Sequence, residues 1–133
     1  MDGYSPEALL MSITFHGNDL NLKDVSWDHL LTEHGLANCD SAMANGWQRK
    51  SKWYGNEEDI RSQVSAAYDS FRQWAKTVGN VTLEQDARFR SAVDIDTGTQ
   101  CGTGRCGAVT QVVRLVMEIK NTGDTRIVTA FPW

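Results

Sequence analysis

Two histidines, His29 and His34, are the first candidates for chemistry, in the stretch WDHLLTEHG. An imidazole titrates near neutral pH, so either can take or give a proton there. Ser26 is a good N-cap and Gly35 a good C′ residue, so the stretch between them reads as a helix. Trp27, Leu30, Leu31 and His34 then form one apolar-spaced stripe. Each residue turns a helix by about 100°, which puts His29 on roughly the opposite side. His34 is expected to look towards the protein body, where it can also be a packed histidine at the negative helix end. His29 is expected to look outward, near Glu33.

The most basic stretch is Arg49-Lys50-Ser51-Lys52-Trp53-Tyr54. Cations running into aromatics can grip phosphate and stack a base. Such a run is also the composition of an ordinary solvated strand or loop. It stands out because the chain has a formal net charge of −4. That balance argues against holding nucleic acid by bulk positive charge, yet it leaves room for a local basic cleft. A glycine-rich run, DTGTQCGTGRCG, spans residues 96–107. Its spacing suggests a phosphate cradle, but no Walker lysine follows and the next element reads as a strand. A mobile loop or glycine-rich hairpin is expected instead, with Arg105 as the cation able to reach a neighbouring cleft. Cys39, Cys101 and Cys106 leave three states open: free thiols, a Cys101–Cys106 disulfide, or zinc ligation. The absence of a CxxC pair weighs against zinc.

The elements that must position these residues follow from periodicity. Val113, Leu115, Met117 and Ile119 alternate with Arg114, Glu118 and Lys120, as in a half-buried strand. Asn121–Asp124 is turn chemistry. A second strand follows, with Ile127, Thr129 and Phe131 expected on one face and Arg126, Val128 and Ala130 on the other, stopped by Pro132. A helical layer must cover the apolar face of this hairpin. Asn56 caps a long helix whose stripe is Ile60, Val64, Ala67, Phe71, Trp74 and Val78, ended by Gly79. Residues 81–83 and 89–95 read as strands. Nearer the N-terminus, 6–12 reads as a short helix, 13–17 as extended and 18–24 as loop. The expected fold is α+β: N-terminal helices packed on one face of a twisted antiparallel β-meander. It is one domain, 1–79 mainly helical and 80–133 mainly sheet. No apolar run approaches a membrane span and no signal peptide is visible, so any export is expected to be directed from outside this chain.

In order, WDHLLTEHG, KSKWYGNEEDI and RIVTAFPW resemble C-terminal toxin domains of bacterial polymorphic and contact-dependent growth inhibition systems. The resemblance is to the metal-independent ribonuclease superfamily that groups barnase, EndoU, colicin tRNases and RelE, and it covers most of residues 27–133. It implies a ribonuclease toxin, delivered to the target-cell cytoplasm as part of a larger surface protein and neutralised by a cognate immunity protein. It also implies a helical lobe on a twisted antiparallel sheet, with the active site in the cleft between them. His29 and His34 match the paired histidines of the helix, Lys52 the basic residue before the aromatic, and Thr129 the threonine of the last strand. Some relatives have Tyr where this chain has Phe131, which removes one acid or phosphate ligand.

The implied chemistry needs no metal or other cofactor. The RNA 2′-OH attacks its own phosphate, a general base and acid handle the protons, and cations steady the phosphorane. His34 and His29 are the candidate base and acid. Thr129 would bond the phosphate or orient a histidine. Arg49, Lys52 and Arg105 are the candidate phosphate clamps. The expected substrate is RNA, tRNA foremost, with a host translation factor as helper because the chain is acidic. Two rival classes predict other outcomes. A non-catalytic interaction or adaptor module would tolerate loss of both histidines. An NAD-dependent ADP-ribosyltransferase would depend on a catalytic glutamate, for which Glu118 is the strand candidate.

Overall fold

The computed structural model describes residues 11–34 (33 and 34 by their backbone alone), 51–104 and 107–133. The fold is α+β, with one long helix packed against antiparallel and mixed sheets. Its strands are β1 (Met11–His16), β2 (Asn21–Val25), β3 (Lys52–Trp53), β4 (Asn80–Gln85), β5 (Ser91–Asp96), β6 (Gly102–Thr103), β7 (Val109–Thr110), β8 (Val112–Ile119) and β9 (Asp124–Pro132). The helices among the described residues are α1 (Trp27–His34) and α2 (Glu57–Val78). Among the described residues no helix is long and apolar enough to cross a membrane.

The main sheet runs β2-β9-β8-β5. β5, β8 and β9 pair antiparallel, whereas β2 lies parallel to β9. Two smaller sheets, β1-β4 and β3-β6-β7, flank it. The first 79 residues are therefore not a helical lobe alone, because β1, β2 and β3 are threaded through them. Met11 and Ser12 belong to β1, not to the N-terminal helix expected at 6–12. The 18–24 segment, expected as loop, supplies β2. It pairs because β9 has a free edge there, and its mostly exposed pattern shows no buried face that alternation could have revealed.

α2 starts where expected. The Asn56 side chain accepts from Asp59 N–H at 2.9 Å and the Asp59 carboxylate accepts from Asn56 N–H at 2.9 Å, a reciprocal capping box. Its buried face is Ile60, Val64, Ala67, Tyr68, Phe71 and Ala75. Trp74 and Val78, expected in the stripe, are 47% and 48% exposed. The core stops at Ala75, where the 3-10 turn Gly17–Asp19 closes against its carbonyl.

Val113, Leu115, Met117 and Ile119 face this helix from β8, as their alternation required. β9 departs from the expected alternation. Met117 pairs with Ile127 and Val116 with Thr129, so Val128 is an extra residue, a β-bulge. A bulge shifts the period-two phase. Thr125 and Ile127 face the core before it, and Ala130 and Pro132 after it. Thr129 and Phe131 therefore share the outer face with Arg126, not the core face with Ile127.

In the glycine-rich run, β6 pairs antiparallel with β7, and the described residues there form no phosphate cradle. Its glycines serve close packing. A Cβ on Gly102 would lie 1.9 Å from the Lys52 carbonyl oxygen, and one on Gly104 2.4 Å from that of Trp133. Cys101 is a free, buried thiol that donates to the Thr110 carbonyl at 3.5 Å. Burial pushes it above its ordinary pKa, and the nearby Asp96 adds to this. Cys39 and Cys106 lie outside the described residues.

Candidate functional site

An opening with converging charged groups lies at the turn end of the β8–β9 hairpin. That turn is closed by Gly123 N–H donating to the Lys120 carbonyl at 2.8 Å and Lys120 N–H to that of Asp124 at 2.9 Å. Gly123 has φ of 95°, and a Cβ there would lie 2.1 Å from the Asp19 carbonyl oxygen, so the position takes only glycine. The turn sets the register that places Glu118 directly opposite Arg126 on the outer face.

A charge cluster results. Arg126 donates from Nη2 to Glu118 Oε1 and from Nη1 to Ser26 Oγ at 3.3 Å. Arg90 Nε stands 3.9 Å from the same Glu118 oxygen, and that buried nitrogen has no hydrogen-bond partner among the described residues. One carboxylate thus sits between two guanidinium groups. The side chains of Glu118, Arg126 and Arg90 remain 39%, 41% and 29% exposed, so water and ligands reach them. Glu118 and Arg126 line a cleft of about 450 Å³ together with Lys23, Lys120, Asp24, Asp124 and Phe89. Well-formed clefts with a few converging polar groups are where ligands bind. Farther along the same face, Arg114 grips Asp94 with two bonds of 2.7 and 2.9 Å and lies 3.7 Å over the Trp133 ring. The hydrogen bonds to Asp94 hold the Arg114 guanidinium above its ordinary pKa. Phe131 meets Trp133 edge-on at 5.9 Å.

The residues expected from sequence fall as follows. His29 is exposed on α1, as its position on the helix required. His34 is in α1, but its side chain lies outside the described residues, as do Arg49 and Arg105. α1 and β3 both pack on β9, so the elements carrying the histidines, Lys52 and Thr129 are neighbours. Thr129 is half-buried, and its buried hydroxyl has no hydrogen-bond partner among the described residues. Lys52 and Trp53 correct the picture of an exposed basic and aromatic grip. Lys52 is 6% exposed and Trp53 fully buried, because β3 pairs with β6 at the edge of its small sheet and is covered by β9. Lys52 is therefore not a surface phosphate clamp, and Tyr54 is the aromatic of that stretch left accessible.

Sequence reasoning missed Arg90, Arg126 and Phe89, and singled out Glu118 only for a different chemistry. The Glu118–Arg126 pair had a signal: both flank the turn, and counting outward from the closing pair Lys120 and Asp124 sets them opposite each other. Against family models, curated proteins and solved structures, the chain has no match.

An ionised carboxylate only accepts hydrogen bonds and can take a proton. Guanidinium groups bind phosphate with a planar fork of donors. A carboxylate bonded by one guanidinium, with a second 3.9 Å away, beside an open cleft suits chemistry on a phosphodiester that carries its own nucleophile.

Proposed function

We propose that this chain is a metal-independent endoribonuclease that cleaves RNA, tRNA foremost, by attack of the 2′-OH on the adjacent phosphate. The observation that carries the reading is Glu118 between Arg90 and Arg126 at an open cleft, on the sheet face that also bears Thr129. Arg126 further ties that face to Ser26, one residue before the helix with His29 and His34. In this reading Glu118 takes the 2′-OH proton and Arg126 and Arg90 neutralise the phosphorane. His29 is the accessible candidate to protonate the leaving oxygen, with His34 the alternative.

The biological setting we propose is the one implied by the resemblance. The domain is a toxin delivered as part of a larger surface protein, acts in the target-cell cytoplasm and is neutralised by an immunity protein. A translation factor is the proposed helper in presenting tRNA to an acidic enzyme. The test is cleavage of purified tRNA by wild type, Glu118→Gln, His29→Ala and His34→Ala. Loss of cleavage in Glu118→Gln with retained folding supports the site. Full cleavage by Glu118→Gln refutes it.

A further inference from the structure

The loop between β4 and β5 contains an unusual residue. Phe89 has φ of 62°, the only non-glycine positive φ among the described residues, and the residue is 61% exposed beside the cleft. A bulky side chain in the left-handed region is strained and persists only where its surroundings enforce it. Asp86 does the enforcing. Its Oδ1 accepts from Arg88 N–H at 2.8 Å and Arg90 N–H at 3.0 Å, and its own N–H donates to the Arg90 carbonyl at 2.8 Å. Phe89 N–H donates to the Asp86 carbonyl at 3.0 Å, and Gln85 Nε2 donates to the Phe89 carbonyl at 3.3 Å. The backbone donors of Arg90 and Arg88 hold the Asp86 carboxyl below its ordinary range.

An exposed phenyl ring gains nothing from the core, and glycine would suit this backbone better. The arrangement instead fixes an aromatic face beside a cleft lined by Arg126, Lys23 and Lys120 together with the carboxylates Asp24, Glu118 and Asp124. We infer that Phe89 is a stacking platform for a nucleobase, and that this cleft binds a nucleotide with its ring against Phe89 and its phosphate on Arg126 and the two lysines. Every base has a π-face, so the platform selects a ring without selecting a sequence. The inference deepens the ribonuclease reading and rests on it for the choice of nucleotide, but its test is separate.

The test is titration of the intact chain with a nucleoside 3′-monophosphate, followed by NMR or calorimetry. Ribose 5-phosphate serves as an anion without a base, and the uncharged nucleoside as a base without the anion. Wild type is expected to bind the nucleotide more tightly than either fragment. Phe89→Ala should weaken nucleotide binding by about tenfold and leave ribose 5-phosphate binding unchanged. Phe89→Gly should raise the melting temperature by relieving the left-handed strain while weakening nucleotide binding as much as Phe89→Ala does. That combination separates a ligand platform from a structural ring, whose loss would lower stability and spare binding. Equal nucleotide binding by wild type and Phe89→Ala overturns the inference, as does no binding by wild type. If the nucleotide fails to bind while tRNA is cleaved, the platform falls and the ribonuclease stands. If Phe89-dependent binding is found without RNA cleavage, the platform stands and the ribonuclease falls.

Discussion

Removing the Arg126 side chain should separate activity from stability. In Arg126→Ala the ion pair to Glu118 and the bond to Ser26 Oγ are lost. The two side chains of the pair are 41% and 39% exposed, so solvent screens it and it contributes at most about 1 kcal/mol. The neutral Ser26 partner adds about 1 kcal/mol. A total of about 1–2 kcal/mol should lower the melting temperature by about 3–8 °C in a chain of this size. The same guanidinium, acting on a phosphorane, is worth far more, because a preorganised donor at developing charge typically contributes about 10²–10³ in kcat. Cleavage of a tRNA substrate should fall by that factor well below the melting temperature. Arg126→Lys should restore the stability better than the activity, since an ammonium keeps the charge and loses the planar fork. Circular-dichroism melts and single-turnover cleavage of end-labelled tRNA measure the two effects. Wild-type cleavage by Arg126→Ala, alongside the small stability loss, would show that Arg126 is only a strut and would sink the mechanism.

Other expectations follow from single contacts. Thr129→Val removes a buried hydroxyl without a hydrogen-bond partner, so chemical denaturation should show about 1 kcal/mol of added stability; a parallel fall in cleavage would assign the hydroxyl to the reaction, and unchanged cleavage would make it packing alone. Asn56→Ala breaks the capping box of α2 and should cost about 1 kcal/mol in urea unfolding without changing the cleavage rate of the folded enzyme. Cys101 carries a pH signature. Burial raises its folded pKa, so its contribution is fully present below the ordinary thiol pKa and is lost as pH rises through the raised folded value. Urea midpoints across the alkaline range should therefore fall more steeply for wild type than for Cys101→Ala, and equal slopes would count against a buried thiol.

The hairpin and the long helix were legible because local chemistry specifies them. Alternation from Val113 to Ile119, turn residues at 121–124 and the Asn56 cap each appear in a few adjacent residues. β2 was not legible. Its residues alternate in no buried sense, and what makes them a strand is a parallel partner about a hundred positions away. The bulge at Val128 was hidden for a related reason: β-branched residues fit either phase, and only pairing with β8 shows that one of them is extra. That single residue moved Thr129 and Phe131 to the face bearing Arg126. The basic stretch misled because charge density says nothing about burial, and β3 turned Lys52 and Trp53 inward. Phe89 left no trace in composition, since its significance lies in a backbone angle imposed by Asp86.

The most direct measurement is end-group analysis of total cellular RNA incubated with the intact chain in EDTA, with and without a translation-factor extract. The account predicts cleavage in EDTA leaving 2′,3′-cyclic phosphate ends, abolished in Glu118→Gln. RNA left intact under both conditions, or cut to 5′-phosphate and 3′-hydroxyl ends, would contradict it.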